Sequence, residues 1–231
     1  MCTEAIILAG GFGTRLQEAV PELPKCLAPV NGQPFIQYVV NHLAQQGITR
    51  IILSLGYRSE QVINYFTNNV QPVSVAWSVE QEPLGTGGAI QWAMQQAEAN
   101  TVLVVNGDTL CRIDIPELAA FHTTSGALCT LSLKPMQRFN RYGSVVLEER
   151  GVIAAFREKM YCEEGLINTG VYAINKTRFV QLGLPLKFSF EKDFLEPYSQ
   201  QGMVYGFVQN GYFIDIGIPE DYERAQRELV G

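Results

Sequence analysis

The run Leu8-Ala9-Gly10-Gly11-Phe12-Gly13-Thr14-Arg15-Leu16, closed further on by Pro24-Lys25, constrains this chain more than any other feature. It joins a short apolar strand to a backbone with three glycines in four positions. Such a backbone reaches conformations closed to other residues and can bring its N–H groups close to an anion. Arg15 adds a planar fork of donors that matches phosphate oxygens, and Lys25 a compact point charge on a flexible stem. The combination points to a nucleoside triphosphate site.

Better-known phosphate loops fit less well. A Walker loop ends in Gly-Lys-Ser/Thr, whereas these glycines run into Thr14-Arg15. A dinucleotide fingerprint needs a third glycine opening a helix and an acid after the second strand, but Leu16 holds the glycine position and the second strand runs out at Leu55-Gly56-Tyr57-Arg58. A plain turn without a ligand is the remaining alternative. It sits poorly with the length of the excursion from Gly10 to Pro24, because long loops in compact proteins are usually functional or disordered.

The chain of 231 residues is long enough for one α/β domain spanning 1–231. Its 17 Lys and Arg against 23 Asp and Glu give a net charge of −6, which argues against a general nucleic-acid surface or an anionic membrane face. No apolar run approaches the roughly 20 residues needed to span a bilayer, and Met1-Cys2-Thr3-Glu4 lacks the basic start of a signal peptide, so a cytoplasmic location is expected. Cys2, Cys26, Cys111, Cys129 and Cys162 are odd in number and never in Cys-x-x-Cys spacing, which suggests small buried hydrophobes rather than disulfides or a zinc site. His42 and His122 have no partner nearby in sequence, and His42 reads as a surface residue of a helix.

Short β-rich runs alternate with helical patterns in the first half, the signature of βαβ units and a largely parallel sheet. Strands are expected over 4–9, 50–55, 73–78 and 101–106, of which the first and last look buried on both faces. Helices are expected from Pro34 to Gly47, over 60–67 and 86–99, and after Asp114. From about residue 127 strands dominate, over 128–133, 144–148, 152–156 and 170–174, extending the same sheet. Asn210-Gly211 predicts a hairpin joining 204–209 to 212–216, and helices return at 190–200, capped by Ser189, and at 219–229.

In open α/β sheets ligands sit beyond the carboxyl ends of the strands. Asp108 follows a buried run through Asn106-Gly107, and Asp215 is embedded in Phe213-Ile214-Asp215-Ile216-Gly217. Both could be ordinary hydrogen-bonded acids. The sharper hypothesis is that they hold one Mg²⁺, which takes one or two carboxylates, some waters and the substrate phosphates.

These residues resemble the sugar-phosphate nucleotidyltransferases. The likeness spans essentially the whole chain and adds Glu82-Pro83-Leu84-Gly85-Thr86-Gly87-Gly88, Arg141-Tyr142-Gly143, Glu158-Lys159, Asn168-Thr169-Gly170 and the terminal Asp215-Ile216-Gly217. It implies a Rossmann-like three-layer α/β/α sandwich with a mostly parallel mixed sheet, of the nucleotide-diphospho-sugar transferase type. It also implies condensation of a nucleoside triphosphate with a sugar 1-phosphate, giving a nucleotide sugar and pyrophosphate. By that resemblance the nucleotide lies against Leu8, Ala9, Gly10, Gly11, Gly13, Thr14, Gly85 and Thr86, Arg15 and Lys25 act on phosphates, and Asp108 and Asp215 hold Mg²⁺. Lys159 binds the sugar phosphate, with Gly143, Glu158, Asn168 and Thr169 near the sugar. Met160 follows Glu158-Lys159 where relatives commonly have proline, which puts the placement of that loop in question.

Within the family, the short length, Leu166-Ile167-Asn168, Phe188-Ser189-Phe190-Glu191 and the run from Tyr212 to Tyr222 look most like a branch that transfers a guanylyl group to a heptose 1-phosphate. Mannose 1-phosphate guanylyltransferases and uridylyl or thymidylyl enzymes are the alternatives, as is a silent regulatory subunit that only binds a sugar nucleotide; a homo-oligomer is also open. Guanine presents N1–H and its 2-amino group side by side as donors, which suits a carboxylate. Glu80 stands where, as the resemblance suggests, the uridine- and thymidine-using members often carry glutamine, so Glu80 is the expected reader of GTP, with Glu82 second.

Overall fold

The computed structural model describes residues 2–11, 16, 20–157 and 160–229. Along the chain run β1 (Glu4–Leu8), a small ribbon of β2 (Pro29–Val30) and β3 (Gln33–Pro34), α1 (Phe35–Gln45), β4 (Arg50–Leu55), α2 (Ser59–Asn68), β5 (Ser74–Val79), α3 (Gly85–Met94) and β6 (Thr101–Asn106). Then follow β7 (Thr109–Cys111), α4 (Ile115–Ser125), β8 (Cys129–Phe139), β9 (Ser144–Leu147), β10 (Ile153–Arg157) and β11 (Cys162–Asn175). The last elements are α5 (Lys176–Gln181), α6 (Glu196–Ser199), β12 (Val204–Val208), β13 (Phe213–Asp215) and α7 (Pro219–Glu228).

Among the described residues, nine strands form one mixed sheet ordered β10-β9-β11-β6-β1-β4-β5, with β8 on β11 and β12 beyond β8. The half carrying β6, β1, β4 and β5 is parallel throughout. Successive side chains on a strand point to opposite faces, and both faces here are covered. Ala5 and Ile7 of β1 join a core with Leu103 and Val105 of β6, Phe35 and Val39 of α1 and Val62 of α2. Ile6 joins the opposite core with Val102 and Val104, Ile90 and Met94 of α3, and Phe179, Phe190 and Phe194. These are the three layers expected from the two-sided burial of β1 and β6.

The expected hairpin at Asn210-Gly211 does not form. β12 instead runs parallel to β8, where Val204 is fully buried, and β13 pairs antiparallel with β7 in a separate ribbon. The Asn-Gly pair serves a crossing between the sheets: a Cβ on Gly211 would lie 1.7 Å from the Arg112 carbonyl oxygen, and Arg112 N–H donates to Tyr212 O at 2.8 Å. Lys134 Nζ holds the crossing by donating to Asn210 Oδ1 and Gly211 O.

Three other expectations need correction. α3 stops at Met94 rather than Ala99, since the N–H groups of Glu98 and Ala99 donate to the buried Glu4 carboxylate at 2.7 and 2.5 Å. The helix expected over 190–200 is wound more widely over Phe190–Leu195, where Phe190 and Phe194 stack with centroids 5.0 Å apart. His42 is half-buried, its Nε2 accepting from Ile113 N–H at 3.3 Å; burial and then Arg112 push its pKa down. Among the described residues no helix is long and apolar enough to cross a membrane.

α3 lies against the segment before Phe190 with almost no space between. A Cβ added at Gly88 would sit 2.2 Å from the Leu186 carbonyl oxygen. Glycine to alanine inside a helix ordinarily gains about 0.5–1 kcal/mol, but overpacking a rigid contact costs about 1–3 kcal/mol. Gly88→Ala should therefore lower the urea midpoint, and a variant as stable as the parent would show that this segment yields freely.

Candidate active site

The site forms where β1, β4 and β6 end side by side. Ala9 N–H donates to Ser54 O and Gly107 N–H to Leu8 O, both at 2.8 Å, so the chain leaves all three strands at one level. Two backbones then cross almost in contact: a Cβ on Gly10 would lie 2.9 Å from Gly56 N, and Tyr57 N–H donates to Gly10 O at 3.2 Å. Only glycine allows this approach. Above it opens a cleft of about 420 Å³ lined by Leu8, Ala9, Gly10, Gly11, Lys25, Glu80, Gly85, Thr86 and Asp108 from the sequence reading. Cys26, Ser54, Pro83, Ala89, Asn106, Gly107 and Glu191 complete the lining.

Lys25 opens a short turn through Leu27 whose Cys26 and Leu27 are buried, which anchors its backbone beside the cleft. Its Nζ lies 2.5 Å from Asp108 Oδ2 and 3.6 Å from Asp215 Oδ1. The two acids are neighbours through the small ribbon, in which Asp215 stands opposite Thr109 and Ile216 N–H donates to Asp108 O at 3.0 Å. Gly217 N–H donates to Asp215 Oδ1 at 2.7 Å, and a Cβ on Gly217 would fall 2.8 Å from that oxygen and 3.1 Å from Lys25 Nζ. Thr109 Oγ1 donates to Asp108 Oδ1 at 3.2 Å.

Two carboxylates around one ammonium leave the group a charge of −1. Burial, followed by the Asp108 charge, raises the Asp215 pKa, and Lys25, the Gly217 N–H and Arg141 do not cancel that rise. The same surroundings push the Cys26 thiol up to about 12, by burial first and Asp108 second, so it is no nucleophile. Among the described residues no group of three His, Cys, Asp or Glu is placed to hold a metal ion. The donor set is two carboxylates, of which Asp108 lines the cleft and Asp215 does not, and two carboxylates are the kind of set that Mg²⁺ completes with substrate oxygens and water.

Glu80 follows β5 and faces the cleft, with Oε2 accepting from Leu84 N–H at 2.9 Å. Glu82 is exposed and does not line it. Gly143, Asn168 and Thr169 lie outside the cleft lining. Asn168 and Thr169 occupy an irregularity of β11, whose Gly170 packs against Asn106 so closely that a Cβ would lie 2.3 Å from Asn106 Nδ2. Asn168 Nδ2 donates to Tyr172 Oη at 2.9 Å, while the Thr169 hydroxyl is buried and donates to Ser132 O at 3.0 Å. Gly13, Thr14, Arg15, Glu158 and Lys159 lie outside the described residues.

Sequence reasoning missed Ser54 and Glu191. Ser54 is a polar residue between Leu53 and Leu55, and Glu191 directly follows Phe190, so each carried a faint signal.

The sequence matches the nucleotidyl transferase family over residues 4–230. It is 50% identical over 226 residues to a D-glycero-alpha-D-manno-heptose 1-phosphate guanylyltransferase of Aneurinibacillus thermoaerophilus, covering 98% of each protein. A protein of the same name from Campylobacter jejuni is 40% identical over 95% of this chain and 96% of its own. The crystal structure of HddC from Yersinia pseudotuberculosis superposes with a TM-score of 0.88 at 36% identity, over 99% of this chain and 100% of that one, and it has also been solved complexed with GMP-PN. On this evidence, and with its glycine cleft and carboxylate pair at the strand ends, the chain belongs to the nucleotidyl transferase family.

Proposed function

We propose that this enzyme, acting as one catalytic unit over residues 1–231, transfers a guanylyl group from GTP to D-glycero-α-D-manno-heptose 1-phosphate, giving GDP-heptose and pyrophosphate. The observation that carries the reading is the Lys25 ammonium, in the cleft lining with Asp108, bracketed by Asp108 and Asp215. The relatives named above support the choice of base and sugar, since they span nearly the whole chain. Five unpaired cysteines accord with a cytoplasmic, reducing location.

A phosphate oxygen of the sugar 1-phosphate forms a bond to the α-phosphorus of GTP as the bond from that phosphorus to the bridging oxygen breaks, and pyrophosphate leaves. The attacking oxygen is already anionic, so no serine, cysteine or histidine nucleophile is needed. His122 is accordingly buried against Thr130, remote from such a role. Positioning and charge neutralisation do the work. Asp108 and Asp215 would hold Mg²⁺, which when bound supplies positive charge to the α-phosphate. Lys25 counters the negative charge between the two reactants, and Arg15 stabilises the departing pyrophosphate. The backbone of Gly10 and Gly11 receives the nucleotide, and the 143–169 region with Lys159 receives the sugar phosphate.

Pyrophosphate release across four nucleoside triphosphates and several sugar 1-phosphates tests class, base and sugar together. The expected maximum is GTP with the heptose 1-phosphate, abolished by EDTA and restored by Mg²⁺. Absence of pyrophosphate from every pair would refute the enzyme, and a UTP or dTTP maximum would refute the base assignment.

Glu80 is the proposed guanine reader. Its second oxygen can accept from the base while the first keeps Leu84 N–H. Glu80→Gln retains an acceptor for Leu84 but presents a donor to the base, so the GTP to UTP ratio of kcat/KM should fall about ten- to hundredfold, the equivalent of losing a charged hydrogen bond. An unchanged ratio would move base recognition elsewhere.

A further inference from the structure

Asp221, the third residue of α7, is 7% exposed, a state that an aspartate tolerates only when its oxygens are matched. Both are matched by arginines. Arg141 donates to Oδ2, and Arg224 Nη1 lies 3.0 Å from Oδ1. Arg141 then donates to Tyr142 Oη at 3.2 Å, with its guanidinium 5.5 Å from the tyrosine ring centroid. The Tyr142 ring meets Phe213 edge-on with centroids 5.6 Å apart, and Phe213 begins the short strand that ends in Asp215.

The next residue, Gly143, closes against the end of β10: a Cβ there would lie 3.0 Å from Arg157 O. A set of contacts therefore runs from α7 through Arg141 and Tyr142 to Phe213, two residues before Asp215 on the same strand, and through Gly143 to the end of β10. None of Asp221, Arg141 or Tyr142 lines the nucleotide cleft. They share a second cavity of about 580 Å³ on the side of Phe213.

We propose that Asp221 is a positioning residue for the sugar 1-phosphate half of the site, fixing Arg141, Tyr142 and Gly143 against Asp215 while the nucleotide half is built without it. This rests on the guanylyltransferase reading. The plain alternative is an acid in the first turn of a helix that only stabilises α7. The two differ in which kinetic constant moves.

Steady-state kinetics with each substrate varied in turn decides between them. Asp221→Asn keeps the shape and removes the charge, whereas Glu220→Gln removes the neighbouring exposed acid of the same first turn of α7 without touching Arg141. A displacement of about 1 Å can cost on the order of 10² in rate, so Asp221→Asn should lower kcat/KM for the sugar 1-phosphate about ten- to hundredfold. KM for GTP should stay within about twofold. Arg141→Lys should behave like Asp221→Asn, the double variant should lose no more than either single one, and Glu220→Gln should change little. If Asp221→Asn does not fold, Tyr142→Phe removes only the hydroxyl that Arg141 grips and should shift the sugar constant in the same direction. Equal losses on both substrates, a loss of urea stability with unchanged kinetics, or Glu220→Gln matching Asp221→Asn would overturn the inference. A wild-type protein that releases no pyrophosphate would instead overturn the functional reading on which it stands.

Discussion

One ammonium held between two carboxylates is the contact on which the other features of the site converge. Lys25, Asp108 and Asp215 come from far apart in sequence, and each arrives by a different device. A buried turn anchors Lys25, the parallel pairing of β6 with β1 carries the chain to Asp108, and the β7–β13 ribbon sets Asp215 beside it. A carboxylate in such a place is costly unless its neighbours are fixed, and the Gly217 N–H and Thr109 hydroxyl supply that fixing. The trio remains short of positive charge. Binding a triphosphate alone would deepen the deficit, and binding a divalent cation alone would reverse its sign, so the charge balance favours their arriving as a set.

The cleft is made largely of backbone because the strand ends must come together more closely than side chains permit. Gly10 crosses Gly56, Gly107 folds onto Leu8, and Gly88 lies against Leu186. Each contact pins one stretch of backbone against another. That rigidity is chemically useful: in a reaction whose nucleophile is already charged, most of the available acceleration comes from holding the reactants in line and from dipoles that need not reorganise.

Much of this was legible in the sequence. The apolar run in β1 and β6 announced burial on two faces, and with it a three-layer arrangement, because the period-two rule leaves no solvent side for Ile6 or Ile7. Lys25, Asp108 and Asp215 were legible because an acid at a strand end and a glycine loop each carry a chemical cost that demands a reason. The path of 204–216 was not. Asn210-Gly211 has the local chemistry of a tight hairpin, yet a strand's partner is decided by remote burial, and Val204 finds its place beside β8. His42 failed similarly: nothing around it in sequence tells that the Ile113 N–H will need an acceptor. Glu4 shows the converse, a remote carboxylate ending a helix whose own residues would have continued it.

Two structural units flank the charged trio. In the first, Glu80 holds the start of α3 through Leu84, and α3 is in turn seated by Gly87 N–H on Phe188 O at 3.1 Å, which ties it to the segment leading into Glu191. On the other side, α7, the 141–143 loop and the β9–β10 pair are linked through Asp221 and Arg141. Neither unit needs the other for its internal hydrogen bonds. A substitution in the first can then leave the second undisturbed, provided that Lys25, Asp108 and Asp215 keep their places. What lies between them is electrostatic, one ammonium held by two carboxylates, rather than a packed apolar contact.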